Sequence, residues 1–337
     1  MQITYRLEYR PVQNPPAREK VVFMSQGNSQ NNQQPEIIVV GSTMIDMIAY
    51  SKKVPSAGET VIGDSFSLGF GGKGANQAVM ASRMGAKVFM VNTLGDDVFG
   101  DTTLNNFHEQ GIDTTFVSRV SGASGVAPIW VEPNGTNRII CVPGANNSMT
   151  TGQAQSAISA LPNAKVVIGQ LEIPQEVTIA AFEKARALGI TTILNPAPFA
   201  PLDPNLISLS DWIIPNETEF AGLNPDGKLP ESDTEISKVA QILGCKFVVT
   251  LGEKGAAYTD QSGAIKKVAA PVVKAIDTTG AGDSFVGAFA FGLASGMDTE
   301  KAAQLGCICA SDSVTRLGTQ SSYPSKEAAA KLLASLS

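Results

Sequence analysis

Apolar and polar positions along this chain follow two alternating periods. The first strong signal is the β-branched run Glu36 to Gly41 (EIIVVG), a short buried strand closed by glycine. Residues 75–84 then carry a helical pattern stopped by Gly85, and Val88 to Leu94 read as the next strand. The alternation recurs: strand Val166 to Gln170, helix 175–188 stopped by Gly189, strand Thr191 to Asn195, strand Trp212 to Pro215, a helix around 232–243, and strand Phe247 to Leu251. Strands separated by helices of this length predict parallel βαβ units with helices on both faces of one sheet.

Two segments depart from that rhythm. Residues 44–70, and the pair 125–132 and 137–142 joined by Pro133, Asn134, Gly135 and Thr136, read as strands and hairpins with no helix between them. They predict a small separate sheet, either a lid over the C-terminal edge of the main sheet, where α/β folds bind ligands, or a peripheral decoration. Residues 1–35 differ again. Their Asn/Gln/Ser-rich tract, Ser25 to Gln34, predicts a disordered tail ahead of a single domain over 36–337. Arg6, Arg10, Arg18 and Lys20 outnumber Glu8 and Glu19, which leaves an organellar presequence as the less favoured alternative.

Composition narrows the function. With 337 residues, 43% of them apolar, the chain can bury one large α/β core. A net charge of −6 argues against binding a nucleic-acid backbone or an anionic membrane by bulk electrostatics. No apolar run approaches the ~20 residues of a membrane span. Cys141, Cys245, Cys307 and Cys309 show no metal-binding spacing, and a reducing compartment, the cytoplasm or also the nucleus, suits them. His108 is the single histidine and lies in a polar stretch, so it reads as a solvated helix residue. Histidine-built triads and zinc sites are thereby disfavoured.

Three segments carry candidate chemistry. Val272 to Gly287 reads as a strand, a glycine turn and an apolar helix. Small Gly280, Ala281 and Gly282 let backbone N–H groups converge on an anion at the helix start, where Asp283 can act as a general base. A plain first-turn acid after turn glycines fits the same residues. Gly69 to Gln77 (GFGGKGANQ) matches GxGxxG, yet it stands far beyond the first strand, and Lys73 is followed by Gly74, so neither a dinucleotide fingerprint nor a Walker A loop fits. A bare loop approaching a polyhydroxylated ligand, with Lys73 and Asn76 as donors, is the better reading; a solvated loop lysine is the bland one. In Pro215 to Glu219, Asn216 and Glu219 share one helical face and suit water bound to Mg²⁺, or simply a capping box.

Taken together, FGGKGANQ, NETE, DTTGAGDSF and VTRLGTQSSYP stand in an order that resembles the carbohydrate kinase family that includes ribokinase, fructokinase and adenosine kinase, over residues 36 to about 330. The resemblance implies a ribokinase-like three-layer α/β/α sandwich with a mostly parallel central sheet and a small β-sheet lid. It implies ATP-dependent phosphorylation of D-ribose at O5, with Asp283 as base and Gly280, Ala281 and Gly282 as the anion hole. Met44, Ile45 and Asp46, then Gly72, Lys73, Gly74, Ala75 and Asn76, and finally Glu172 would form the sugar site. Asn216, Thr250, Leu251, Gly252, Glu253, Lys254, Gly255, Gly282 and Cys307 would line the nucleotide. Glu219 would stand near Mg²⁺, while Asp277, Thr279, Ser313, Arg316, Gly318 and Ser322 would hold a K⁺ ion. Homodimerisation through the lid is also implied. Met44 departs from a sugar-binding asparagine of some members, and Cys307 from a polar residue that often meets adenine. Deoxyribose, fructose or a nucleoside remain alternative acceptors; a catalytically silent sugar-binding regulator and, last, an NAD-dependent oxidoreductase are the rivals from other classes.

Overall fold

A computed structural model describes residues 34–133 and 135–336. The tail expected over 1–35 therefore falls almost wholly outside the described residues, as does Asn134 of the predicted turn. The first part of the chain runs β1 (Glu36–Val40), β2 (Met44–Tyr50), β3 (Ser65–Gly71), α1 (Lys73–Met84), β4 (Lys87–Gly95), α2 (Val98–Gln110), β5 (Asp113–Val120), β6 (Val126–Val131) and β7 (Asn137–Ile139). The middle runs α3 (Thr151–Ala160), β8 (Val166–Gly169), α4 (Gln175–Ala187), β9 (Thr191–Leu194), α5 (Pro204–Ser208), β10 (Trp212–Ile213), α6 (Glu217–Leu223) and α7 (Asp233–Leu243). It closes with β11 (Lys246–Thr250), β12 (Ala256–Thr259), β13 (Ile265–Val268), α8 (Ala281–Ala294), α9 (Thr299–Ser313) and α10 (Lys326–Ala334).

Nine strands form one sheet in the order β13-β12-β11-β10-β9-β8-β1-β4-β5. Every pairing from β11 to β5 is parallel; β12 and β13 add on as an antiparallel hairpin at one end. Side chains alternate strictly across it. Ile37 and Val39 face one apolar cluster with Phe285 and Phe289 of α8 and Val79 and Met80 of α1, while Ile38 and Val40 face a second with Phe182 of α4 and Val239 of α7. That alternation of fully buried residues makes the three layers, α/β/α.

The second sheet has four strands, β3-β2-β6-β7, and packs a small core of Met44, Ala127 and Ile129. It leaves β1 after a three-residue link, Gly41 to Thr43. Asn146 clasps that link, accepting from the Thr43 N–H at 2.9 Å and donating to the Thr43 carbonyl at 2.8 Å. The lid strands are thus tethered next to the C-terminal end of β1.

One predicted strand does not form. Val272 to Ile276 is irregular, with Val272 fully exposed and Ile276 61% exposed; its end turns to the segment after α9, where the Ile276 N–H donates to the Val314 carbonyl at 2.7 Å. Trp212 to Pro215 shortens to a two-residue strand. His108 is exposed on α2, where its ring meets the Thr114 hydroxyl at 3.1 Å.

Candidate active site

The parallel sheet brings the candidate residues to one edge. Ser42 to Asp46 follow β1, Gln170 and Glu172 follow β8, Asn195 follows β9, Asn216 follows β10, and Thr250 ends β11. All are at carboxyl ends of parallel strands, where loops diverge and a crevice opens. Two helix N-termini, those of α1 and α8, complete the site.

Helix α1 can start here only because its first residues are bare. A Cβ on Gly74 would lie 2.5 Å from the Ser42 nitrogen, so helix and link pass at backbone contact. The Lys73 N–H donates to Glu172 Oε2 at 2.9 Å, and the Ser42 hydroxyl donates to the same oxygen. Lys73 is therefore the first residue of a helix and half-buried, not a solvated loop lysine. Burial opposes its charge, but Asp283, Glu172 and Glu219 outweigh that and hold its pKa above the ordinary value.

Helix α8 begins at Gly280, with φ at 75°, and this left-handed turn aims the helix start at the crevice. Tyr323 donates its hydroxyl to the Gly280 carbonyl at 2.9 Å. Asp283 follows in the first turn, 6% exposed, and each carboxylate oxygen accepts one amide. Asn76 Nδ2 donates to Oδ2 at 2.9 Å and Gln77 Nε2 donates to Oδ1 at 2.9 Å. Asn76 thus gives one of the two N–H groups of its amide to Asp283.

Asp46, on β2 of the small sheet, lies against Gly71, at which an added Cβ would be 2.4 Å from its Oδ1. Burial, then Glu172, then Asp283 push its carboxyl up to about 7. Burial raises Glu172 and Glu219 as well, each tempered by Lys73. Three carboxylates and one ammonium, drawn from both sheets, therefore converge on one polar pocket: Asp46, Glu172, Asp283 and Lys73. That is an arrangement suited to holding hydroxyl groups.

Other candidates separate into three groups. Met44 and Ile45 are 4% and 3% exposed and serve as packing, and Cys307, expected at the adenine, leaves only 3% exposed within the first apolar cluster. Asn216 and Glu219 form a complete capping box for α6, with Glu219 N–H on Asn216 Oδ1 at 2.8 Å and Asn216 N–H on Glu219 Oε2 at 2.9 Å. Beside them Thr250 bridges Asn216, and Leu251 to Gly255 form a tight turn in which Gly252, Glu253 and Lys254 are exposed.

The third group is a stitched pair of loops next to Gly280. Asp277 accepts from Thr279 N–H and hydroxyl at 2.9 and 2.7 Å and from Gly318 N–H at 2.9 Å. Burial opposes the charge on Asp277, but these bonds prevail and keep its pKa below the usual range. Arg316 Nε donates to the Ser322 carbonyl at 2.8 Å, and Ser313 is buried with its hydroxyl on Ala310 O. Among the described residues no three His, Cys, Asp or Glu side chains cluster as a metal cage. An Mg²⁺ ion would accordingly depend on nucleotide phosphates, with Glu219 reaching it through water.

The sequence reading missed several residues. Gln77, Gln170, Asn195 and Gln320 form a buried amide network around Asp283. Gln77 and Gln320 lie inside the very motifs that carry the family resemblance; an amide on an apolar helix was the available signal for Gln77, while Gln320 sits in the turn between α9 and α10 and offered none. Cys141, just beyond β7, is exposed as a residue, yet partial burial of its thiol, Glu172 and Asp46 push that thiol up.

Residues 34–326 match the family described as pfkB family carbohydrate kinase. The chain is 40% identical over 298 residues to a deoxyribokinase of Salmonella typhimurium, covering 87% of this chain and 96% of that protein. It is 41% identical over 307 residues to a ribokinase of Mus musculus, covering 88% and 94%. Among solved structures, a ribokinase of Thermotoga maritima superposes with a TM-score of 0.80 at 34% identity, covering 88% of this chain and 99% of that one. Arabidopsis thaliana ribokinase complexed with ribose and ATP gives 0.83 at 30% identity, covering 89% and 99%.

Proposed function

The chain belongs to the pfkB family of carbohydrate kinases, and on that premise we propose that it transfers the γ-phosphoryl group of ATP to O5 of D-ribose, giving D-ribose 5-phosphate and ADP. The observation that carries this reading is Asp283. It is a buried carboxylate at a helix N-terminus, oriented by two amides and neighboured by Lys73, Glu172 and Asp46.

In this scheme the ribose hydroxyls bind Asp46 and Glu172, which presents the O5 hydroxyl to Asp283. The O5–phosphorus bond forms as the bond from the γ-phosphorus to its bridging oxygen breaks. The hydroxyl proton passes to Asp283, and ADP leaves with the electron pair. The helix start at Gly280, Ala281 and Gly282 stabilises the charge on the transferred group, and Lys73 adds a fixed ammonium. Asn216 and the turn Thr250 to Gly255 receive the nucleotide. Mg²⁺ supplies charge neutralisation at the phosphates. The loops stitched by Asp277, Thr279 and Gly318, together with Ser313, Arg316 and Ser322, would hold K⁺, which would supply positive charge beside the turn at Gly280.

Deoxyribose is the second acceptor to weigh, because the Salmonella deoxyribokinase is as similar as the ribokinases and Met44 offers no strong hydrogen bond. The enzyme works in the cytoplasm, where its four free thiols stay reduced. It is a homodimer joined through the small sheet, which carries exposed Phe66, Leu68, Ile139 and Ile140.

The test is ADP release from MgATP with ribose, deoxyribose, fructose or adenosine, each with and without K⁺. Ribose-dependent turnover, raised by K⁺ and lowered about 10³-fold in Asp283→Asn, is the expected result. Turnover on another acceptor moves the specificity. Binding of ribose and ATP with no turnover on any acceptor overturns the kinase reading in favour of a silent regulator.

A further inference from the structure

Asp283 stands among charges that do not favour a second anion. Facing it are Lys73 from α1, Asp46 from β2, Glu172 beyond β8, Glu219 from α6 and the Tyr323 phenol between α9 and α10. Three of those neighbours are carboxyl groups and only one is a cation, so like charge crowds this side chain and tends to turn it away. A base that must face its substrate needs something to offset that crowding.

The offset is built from neutral amides. An ionised carboxylate can only accept hydrogen bonds, so Asn76 and Gln77 must turn their NH₂ groups toward it. Their carbonyl oxygens then face away and need donors of their own. Asn76 Oδ1 accepts from Gln320 Nε2 at 3.0 Å, and Gln320 Oε1 accepts from Asn106 Nδ2 at 3.0 Å. On the other arm Gln77 Oε1 accepts from Gln170 Nε2 at 2.8 Å. Gln77 Nε2 also donates to Asn195 Oδ1 at 3.0 Å, while Asn195 Nδ2 donates to the Ile214 carbonyl at 2.9 Å. A backbone carbonyl is an acceptor only, so the orientation of Gln77 is set from that end as well as from Asp283.

Asn76, Gln320 and Asn106 in one arm and Gln77 and Gln170 in the other thus point N–H toward Asp283, and their dipoles add head to tail, while Asn195 points its N–H away and serves only to fix Gln77. All are buried: Asn76 4%, Gln77 0%, Asn106 5%, Gln170 0%, Asn195 7% and Gln320 4% exposed. In so dry a setting aligned dipoles act strongly. Gln170 shows that the alignment has a cost. Its Oε1 is buried without a hydrogen-bond partner, packed where an added Cβ on Gly41 would lie 2.1 Å away. The unpaired acceptor is tolerated while the donor end is committed to Gln77.

We infer that these two arms form a polarised amide relay that holds the Asp283 carboxyl group correctly turned, with Gln320 and Gln170 as positioning residues and Asn106 as the outer end of the longer arm. The function assigned to the relay rests on Asp283 being the base of the phosphoryl transfer proposed above. The hydrogen-bond direction does not.

The test uses the full chain with ¹³C-labelled aspartate, the Asp283 resonance being assigned by its loss in Asp283→Asn. Gln320→Met and Gln170→Met keep volume but remove the donor, one in each arm; Asn106→Leu cuts the longer arm farther out. At one fixed pH the Asp283 carboxyl resonance is expected to shift in each methionine variant, and less in Asn106→Leu, as its hydrogen-bonded setting changes. kcat for the sugar should fall about tenfold while KM for MgATP stays within about twofold. A relay that is mere packing would lower the melting temperature and leave both the resonance and kcat where they were. An unmoved Asp283 resonance in a cooperatively folded methionine variant overturns the inference, and the independent arm serves if one variant does not fold. Should the wild type phosphorylate no sugar, the kinase reading fails while the carboxyl resonance still reports on the relay.

Discussion

Asp46 carries its charge at a disadvantage. Burial and the neighbouring Glu172 and Asp283 lift its carboxyl to about 7, far above its value in an unfolded chain. The sign of the linkage follows: this group's contribution to stability is fully present below about pH 4 and is lost as the pH rises through about 7. Asp46→Asn removes the penalty. Its melting temperature should exceed that of the wild type by about 2–5 °C at pH 8 and match it near pH 4, while sugar binding measured by calorimetry is lost. Asp283 and Lys73 were singled out in the sequence because they lie within glycine-rich motifs, whereas Asp46 and Glu172 entered only through the family resemblance. The amide pairing around them was not legible. Gln320 and Asn76 are partners across 244 positions, and no spacing rule joins neutral side chains at that distance.

The two glycines that open helix α8 serve different ends, and alanine separates them. At Gly280, with φ at 75°, a Cβ would lie 2.5 Å from Thr319 Cγ2 and 2.9 Å from the Tyr323 hydroxyl. Gly280→Ala should therefore cost about 1–3 kcal/mol in urea unfolding as well as activity. At Gly282 nothing lies within 4 Å and no left-handed φ is required. Gly282→Ala should unfold like the wild type yet raise KM for MgATP about tenfold, since its methyl group occupies the space in front of the helix start. Elements were readable where a single face or both faces are apolar without interruption, as in β1, β4, β8 and β11. The reading failed at Val272 to Ile276, whose apolar residues suggested a strand but pair with neither sheet, and at β10, which keeps only Trp212 and Ile213. Strand formation depends on a neighbour that local pattern does not encode.

For the molecule as a whole, the small sheet exposes several large apolar side chains. Phe66 is 60% exposed and Leu68 57%, both on β3, with Ile139 and Ile140 at 49% and 54% across the sheet. Light scattering should give twice the 35.2 kDa chain mass for the wild type and the single-chain mass for Phe66→Asp combined with Leu68→Asp, with the melting temperature of the domain retained. The layered α/β/α architecture and the separate small sheet were predictable from the strand–helix rhythm and its two interruptions. The β12–β13 hairpin was not, because its strands are four residues each and one of them carries Lys266 and Lys267. Those lysines have a consequence of their own. An open sheet ends in unpaired backbone groups that invite another chain to add on, and β13 is such an end, exposing two adjacent ammonium groups, of which Lys267 pairs with Asp233. Two like charges brought edge to edge repel, so this border resists the strand-by-strand stacking that turns concentrated protein into fibres.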